Sequence, residues 1–183
     1  MTSPRIAPAL PPFPPEIQAA LDRIMPTGLA PLTLFTTIAR NPRVFGRFMA
    51  GGLLDKGTLT LRQRELVIDR ACALCGCEYE WGVHVALFGE RVGFGEAERR
   101  AIVHEGPDSP LWTEDERLIL SLVDSLHETA QVPAALWDRL AATFTAEQLI
   151  ELMVLTGLYH MVSFVANALE LAPEAFAPHF PVR

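Results

Sequence analysis

Proline placement limits what this chain can fold into more than any other feature. Fifteen of the 183 residues are proline, yet none lies between Pro42 and Pro107 or between Pro133 and Pro173. An interior proline costs a helix about 3 kcal/mol or more, so long helices belong in those two stretches. Start and stop signals divide them further. Pro15–Ile24 and Pro31–Arg40 read as short helices with proline in the first turn, and Pro42–Leu54 as a third that ends before Lys56-Gly57. Thr60 opens a helix that Gly76 closes, Glu78–Val92 stops at Gly93, and Gly95–His104 is short. Thr113-Glu114-Asp115-Glu116 is a capping box for a helix to about Ala130. Pro133–Ala142 follows, and Thr145-Ala146-Glu147-Gln148 caps a long last helix.

No run alternates with the period of a strand, so the expected fold is all-α, a single-domain helical bundle over residues 15–183 preceded by an extended arm, residues 1–14. Thr58-Leu59-Thr60-Leu61-Arg62-Gln63 faintly echoes Thr143-Phe144-Thr145-Ala146-Glu147-Gln148. Two similar halves explain the echo, and shared helix-start chemistry explains it nearly as well.

Composition narrows the function classes. Half the residues are hydrophobic, enough for a real core, and the net charge is −7 with no basic run. Phosphate backbones are held by clustered Lys and Arg, so no nucleic-acid partner is expected. The prolines of the first sixteen residues break the apolar helix that a signal peptide needs. Leu149–Leu171 is apolar, but Glu151, His160, Asn167 and Glu170 make a buried or interface helix the expectation rather than a membrane span. Cys72, Cys75 and Cys77 are odd in number and tightly spaced, unlike a secreted disulfide framework. The expected compartment is the reducing cytoplasm.

Chemistry concentrates in two consecutive segments. On a helix starting near Cys77, positions 77, 80 and 84 fall within about 60° of arc, which gathers the Cys77 thiol, the Glu80 carboxylate and the His84 imidazole on one face. Glu65 lies on the preceding helix and approaches them if the Gly76 turn folds that helix back. A carboxylate beside an imidazole raises its pKa, an imidazolium beside a thiol lowers the thiol's, and paired carboxylates push one pKa up. The expected capability is proton transfer, thiolate chemistry or both.

That spacing resembles the alkylhydroperoxidase D site, in which a Glu precedes a Cys-x-x-Cys followed by a His. The chain keeps Glu65, Cys77 and His84, but Glu80 replaces the second cysteine, so a dithiol cycle within the motif is not possible. Glu80-x-x-x-His84 is similar to the Glu and His of carboxymuconolactone decarboxylases, which use no thiol. The resemblance runs from about Pro42 to Leu171 and includes Gly157-Leu158-Tyr159-His160 and Asn167-Ala168-Leu169. It implies an alkylhydroperoxidase D-like bundle, a small-molecule substrate, catalytic Glu65, Cys77, Glu80 and His84, and a homotrimer or homohexamer. No nucleotide, flavin or haem motif and no recognised metal spacing is visible, so no cofactor and no metal are expected.

Three functions follow as expectations. The first is acid–base chemistry on a small organic acid, lactone or related carbonyl compound, with His84 carrying the proton, Glu65 orienting it and Glu80 sharing the load. The second is a thiol-dependent peroxidase in which Cys77 forms the sulfenate and Cys75, Cys72 or an external reductant resolves it. The third is a non-catalytic oligomeric ligand-binding protein. Cys72 and Cys75 read as small packing residues, Cys77 as catalytic thiol or bystander, and zinc on Glu65, Cys77, Glu80 and His84 as a minor alternative. His160, seven residues before Asn167, either reaches the same cavity or is satisfied in a core helix, and His104 and His127 are expected at the solvent face.

Overall fold

The computed structural model describes residues 4–53 and 55–182, which form nine α-helices and one 3-10 turn, with no strand among the described residues. The first three residues of the expected arm, Leu54 at the expected end of the third helix, and Arg183 lie outside the described residues. In order the helices are α1 (Pro15–Ile24), α2 (Thr33–Ile38), α3 (Pro42–Ala50), α4 (Leu61–Leu74), α5 (Glu78–Phe88), α6 (Glu96–His104), α7 (Glu114–Thr129), α8 (Ala134–Thr143) and α9 (Ala146–Ala168). The 3-10 turn, Gly106–Asp108, joins α6 to α7. The fold is all-α, as expected from the helix signals and the lack of strand-period alternation.

Side chains that satisfy orphan backbone amides set the starts of the longest helices. Thr60 with Gln63, Thr113 with Glu116 and Thr145 with Gln148 each form a reciprocal capping box at the N-termini of α4, α7 and α9. The echo between residues 58–63 and 143–148 is therefore two copies of one cap. Three helices are clearly shorter than expected. Pro31, Leu32, Ala39 and Arg40 stay outside α2, α3 ends at Ala50, and α5 ends at Phe88. Beyond Phe88 the chain continues in hydrogen-bonded turns to Gly93 (φ 71°), where the Phe94 amide donates to the Gly89 carbonyl at 2.9 Å. Gly93 is thus the stop that the sequence suggested, reached through a looser last turn.

The central element is α4, not the last helix. Eight consecutive residues, Glu65 to Cys72, are buried, because α5, α6, α7 and α9 all pack on it. A helix enclosed on all sides must find partners for its polar groups. Arg70 does so with a bidentate ion pair to Asp124 (2.6 and 2.7 Å) and a bond to the Ile102 carbonyl (2.6 Å). By contrast, α9 buries one face and exposes Ile150, Val154, Met161 and Phe164 on the other. Its 23 residues are long and apolar enough to cross a membrane by length and composition alone.

Both chain ends brace the bundle. The Arg5 amide donates to the Leu169 carbonyl and the Ala9 amide to the Thr36 carbonyl, laying the N-terminal segment along α2 and the end of α9. After α9 the chain runs back over α5. Glu78 accepts from the Phe180 amide, the Tyr79 hydroxyl donates to Glu174 (2.5 Å), and Trp81 packs on the Phe180 ring. Gly82 permits this approach, because a Cβ there would stand 2.6 Å from the Pro178 carbonyl oxygen and 3.0 Å from the Ala177 Cβ. Gly82→Ala is expected to destabilise the fold by about 1–3 kcal/mol through overpacking, despite the better helix propensity of alanine. Urea unfolding checks this, and an unchanged midpoint contradicts the tail packing.

Candidate active site

The turn between α4 and α5 builds the site. Gly76 takes the left-handed conformation (φ 61°) that closes a helix with glycine at no steric cost. The Cys77 amide then donates to the Cys72 carbonyl (2.8 Å) and the Gly76 amide to the Ala73 carbonyl (3.0 Å), the paired bonds of a Schellman cap. α5 starts directly afterwards and returns along α4, so Glu65 and His84 meet across the hairpin.

Their contact is buried and short. His84 Nδ1 lies 2.7 Å from Glu65 Oε2, with the two residues 4% and 1% exposed. Arg64 reaches the other Glu65 oxygen from Nε (3.0 Å) and Nη2 (2.9 Å). On its far side, His84 Nε2 lies 3.0 Å from the Tyr159 hydroxyl and 3.4 Å from Glu80 Oε1. Glu80 Oε2 is buried without a hydrogen-bond partner among the described residues.

This arrangement charges the pair. Burial alone would lower the His84 pKa, but the Glu65 charge and hydrogen bond, aided by Glu80, push it up to about 10. Burial alone would raise Glu65, yet His84 and Arg64 hold its carboxyl below the usual range. The resting state is therefore an imidazolium whose Nδ1–H donates to the Glu65 carboxylate and whose Nε2–H faces Tyr159 and Glu80. Behind the pair, burial, reinforced by the Glu65 charge, pushes the Asp69 carboxyl well above the usual carboxylate range.

His84, Glu80 and Tyr159 form the polar end of a cavity of about 90 Å³. Leu32, Phe35, Phe48, Met49, Leu87, Phe88, Leu158 and Val162 supply its apolar walls. Such a hollow suits a small molecule with an apolar body and one polar group that meets the imidazolium.

Of the four residues singled out from sequence, the fold brings Glu65, Glu80 and His84 into one contact group and sets Cys77 beside it. Cys77 is the N-cap of α5, with non-helical dihedrals (φ −90°, ψ 78°), so the helical-arc argument does not govern its side chain. It is buried and does not line the cavity. Burial pushes its thiol up to about 11, although the Glu80 amide and Ser163 hydroxyl act the other way. The expected imidazolium-lowered thiolate is thus not what this geometry favours. Tyr159 and Arg64 are the contributors that sequence reasoning missed; for Tyr159 the only trace was its place in Gly157-Leu158-Tyr159-His160. His160 turns away from the cavity to His127, and Asn167 donates to the Cys75 carbonyl (2.9 Å). His104 and His127 are exposed as expected, but each ring has a partner, the Pro181 carbonyl and His160 respectively.

Residues 41–104 match the sequence profile described as the Carboxymuconolactone decarboxylase family. Over 109 residues the chain is 32% identical to the Escherichia coli (strain K12) protein YnjA, and this match spans 59% of each protein's length. A peroxidase-related protein from Silicibacter sp. TM1040 superposes with a TM-score of 0.80 at 21% identity, covering 96% of both chains. One from Ralstonia eutropha JMP134, described as an alkylhydroperoxidase AhpD core, gives 0.77 at 20% identity, covering 96% of this chain and 94% of that one. At these identities the likeness to the solved structures is one of fold.

The charged pair makes stability depend on pH. The His84 pKa is raised on folding, so its contribution is complete below its ordinary value of about 6.5 and is lost as pH climbs through about 10. The Glu65 pKa is lowered, so its contribution is complete above its ordinary value and is lost as pH falls below it. Unfolding free energy is expected to decline from about pH 6.5 towards 10 in the native protein and to stay flatter in His84→Gln. Urea titrations across that window check it, and parallel profiles contradict the pair.

Proposed function

We propose that the chain is a member of the carboxymuconolactone decarboxylase and alkylhydroperoxidase D-like superfamily, and from that premise that it is an acid–base enzyme acting on a small organic acid, lactone or related carbonyl compound. The observation that carries this reading is the Glu65–His84–Tyr159 line, which ends in an apolar cavity beside a Glu80 oxygen without a hydrogen-bond partner among the described residues. His84 is the proton carrier. Glu65, with Arg64 behind it, fixes the ring by its Nδ1–H and stabilises the imidazolium. An anionic substrate group is drawn to that imidazolium in a site shielded from water, where electrostatic attraction is strong. When a carbon–carbon bond to a carboxylate breaks, the electron pair left on the substrate takes a proton from His84 Nε2, directly or through the Tyr159 hydroxyl. Glu80 then supports return of the proton to the ring.

The thiol reading draws on Cys77 at a helix N-cap and on the peroxidase-related names of the solved relatives. Against it stand the buried, protonated thiol and the glutamate at position 80. The three free thiols suit a reducing compartment, and we assign the protein to the cytoplasm on that ground.

One set of assays separates these readings. Carbon dioxide release from carboxymuconolactone and related lactone acids is expected to fall by about 10²–10⁴-fold in His84→Ala and to be unaffected in Cys77→Ser. A fully active His84→Ala protein defeats the acid–base reading, and so does activity that follows Cys77 alone. After peroxide treatment, mass spectrometry is expected to find no sulfenate or disulfide at Cys77, and either product would favour the thiol reading.

The proposal includes a homo-oligomer, a trimer or hexamer by resemblance. Ile150, Val154, Met161 and Phe164 form an exposed apolar stripe along α9, with Phe164 65% exposed, and such a strip suits cover by another copy. Sedimentation is expected to find a species of three or more chains, and a monomer at micromolar concentration rejects it.

A further inference from the structure

A second group of coordinating side chains lies away from the cavity. Cys75 is the C-cap of α4, His127 stands in the last turn of α7, and His160 lies mid-way along α9. One ligand atom from each falls within 4.8 Å of the others. We infer that Cys75, His127 and His160 form a binding site for a zinc(II) ion, one that departs from the sequence-based expectation of no metal and is independent of the Glu65–His84 chemistry.

The donor set argues for it first. One thiol and two imidazoles suit zinc, which takes sulfur at about 2.3 Å and nitrogen at about 2.0–2.1 Å and leaves a fourth position to water. Each imidazole is also held in place. His160 Nδ1 lies 2.8 Å from the Thr156 carbonyl, so it must be the N–H donor there, and Nε2 is left with its lone pair. A ring N–H anchored on a carbonyl is the device that fixes the tautomer of metal-binding histidines. His127 Nδ1 lies 2.9 Å from that Nε2 and is therefore the donor between the rings. The Cys75 backbone is tethered by Asn167.

Access and charge are compatible with an ion. His127 is exposed, while Cys75 and His160 are half-buried. Asp124 and Glu128 approach His127, and so does Arg70, although Arg70 is engaged by both Asp124 oxygens. Binding balances simply. The Cys75 thiol loses its proton to solvent and the thiolate bonds to zinc. The His127 proton moves from Nδ1 to Nε2, and both facing nitrogens then donate lone pairs. No electron is transferred. Because the ligands come from three helices that pack on one another, the ion would pin α4, α7 and α9 together. It would also withdraw Cys75 from any disulfide with Cys77.

Cobalt(II), as a spectroscopic substitute, and zinc(II) itself are the probes. The reduced, chelator-treated full-length chain is titrated with each. One equivalent of cobalt is expected to give a thiolate-to-metal charge-transfer band that zinc abolishes. Cys75→Ser is expected to lose the band, His127→Gln to weaken zinc binding at least about tenfold, and Cys77→Ser to match the native chain. His127 is exposed, so its replacement leaves the core intact. The inference is overturned if the native chain gives no band, if the band survives Cys75→Ser, or if His127→Gln binds zinc as tightly as the native chain. None of these results bears on whether His84→Ala is active, so the two proposals stand or fall separately.

Discussion

The ion pair between Glu65 and His84 is the interaction around which the rest is arranged. Two ionisable groups lie almost wholly out of water, where charge is tolerated only if it is compensated. Arg64 on one side and Tyr159 and Glu80 on the other complete the compensation. A buried pair of this kind is poor evidence of stability for its own sake, since apolar side chains of the same size often serve as well. Its presence at the end of an apolar hollow speaks instead for a proton held ready where water is scarce.

Geometry that accurate needs a rigid frame. The Schellman cap at Gly76 fixes how α5 leaves α4, and the C-terminal segment holds α5 from outside through Glu78, Tyr79 and Gly82. His84 thus stands on a helix clamped on both sides. Residues about a hundred positions away along the chain help decide where its ring points.

Much of this was legible before any coordinates. Capping boxes, glycine stops and proline gaps are local chemistry, and the helices follow them closely. Glu80 and His84 share a face because i and i+4 positions must, and Glu65 joins them because Gly76 reverses the chain. Cys77 shows the limit of that logic. It stands one residue before the helix, where the backbone has not yet taken helical angles, and the helical arc does not apply to it. Tyr159 shows another limit. It reaches His84 across 75 positions of sequence, and no local pattern separates it from His160, its neighbour. On a helix consecutive residues point about 100° apart, so one turns to the cavity and the other to His127. Only the packing of α9 on α4 decides which. Similarly, α4 looked less apolar than α9 because of Glu65, Asp69 and Arg70, yet it is the enclosed one. Glu65 and Arg70 find their partners on other helices, which composition does not reveal.

The last helix has two opposite duties. Its inner side carries Tyr159 and Val162 to the cavity wall, and its outer side carries Met161 and Phe164 into the open. A single hydrogen-bonded rod of 23 residues joins both sides, so any cover laid over the outer ridge is carried by the same element that holds the phenol against the imidazole.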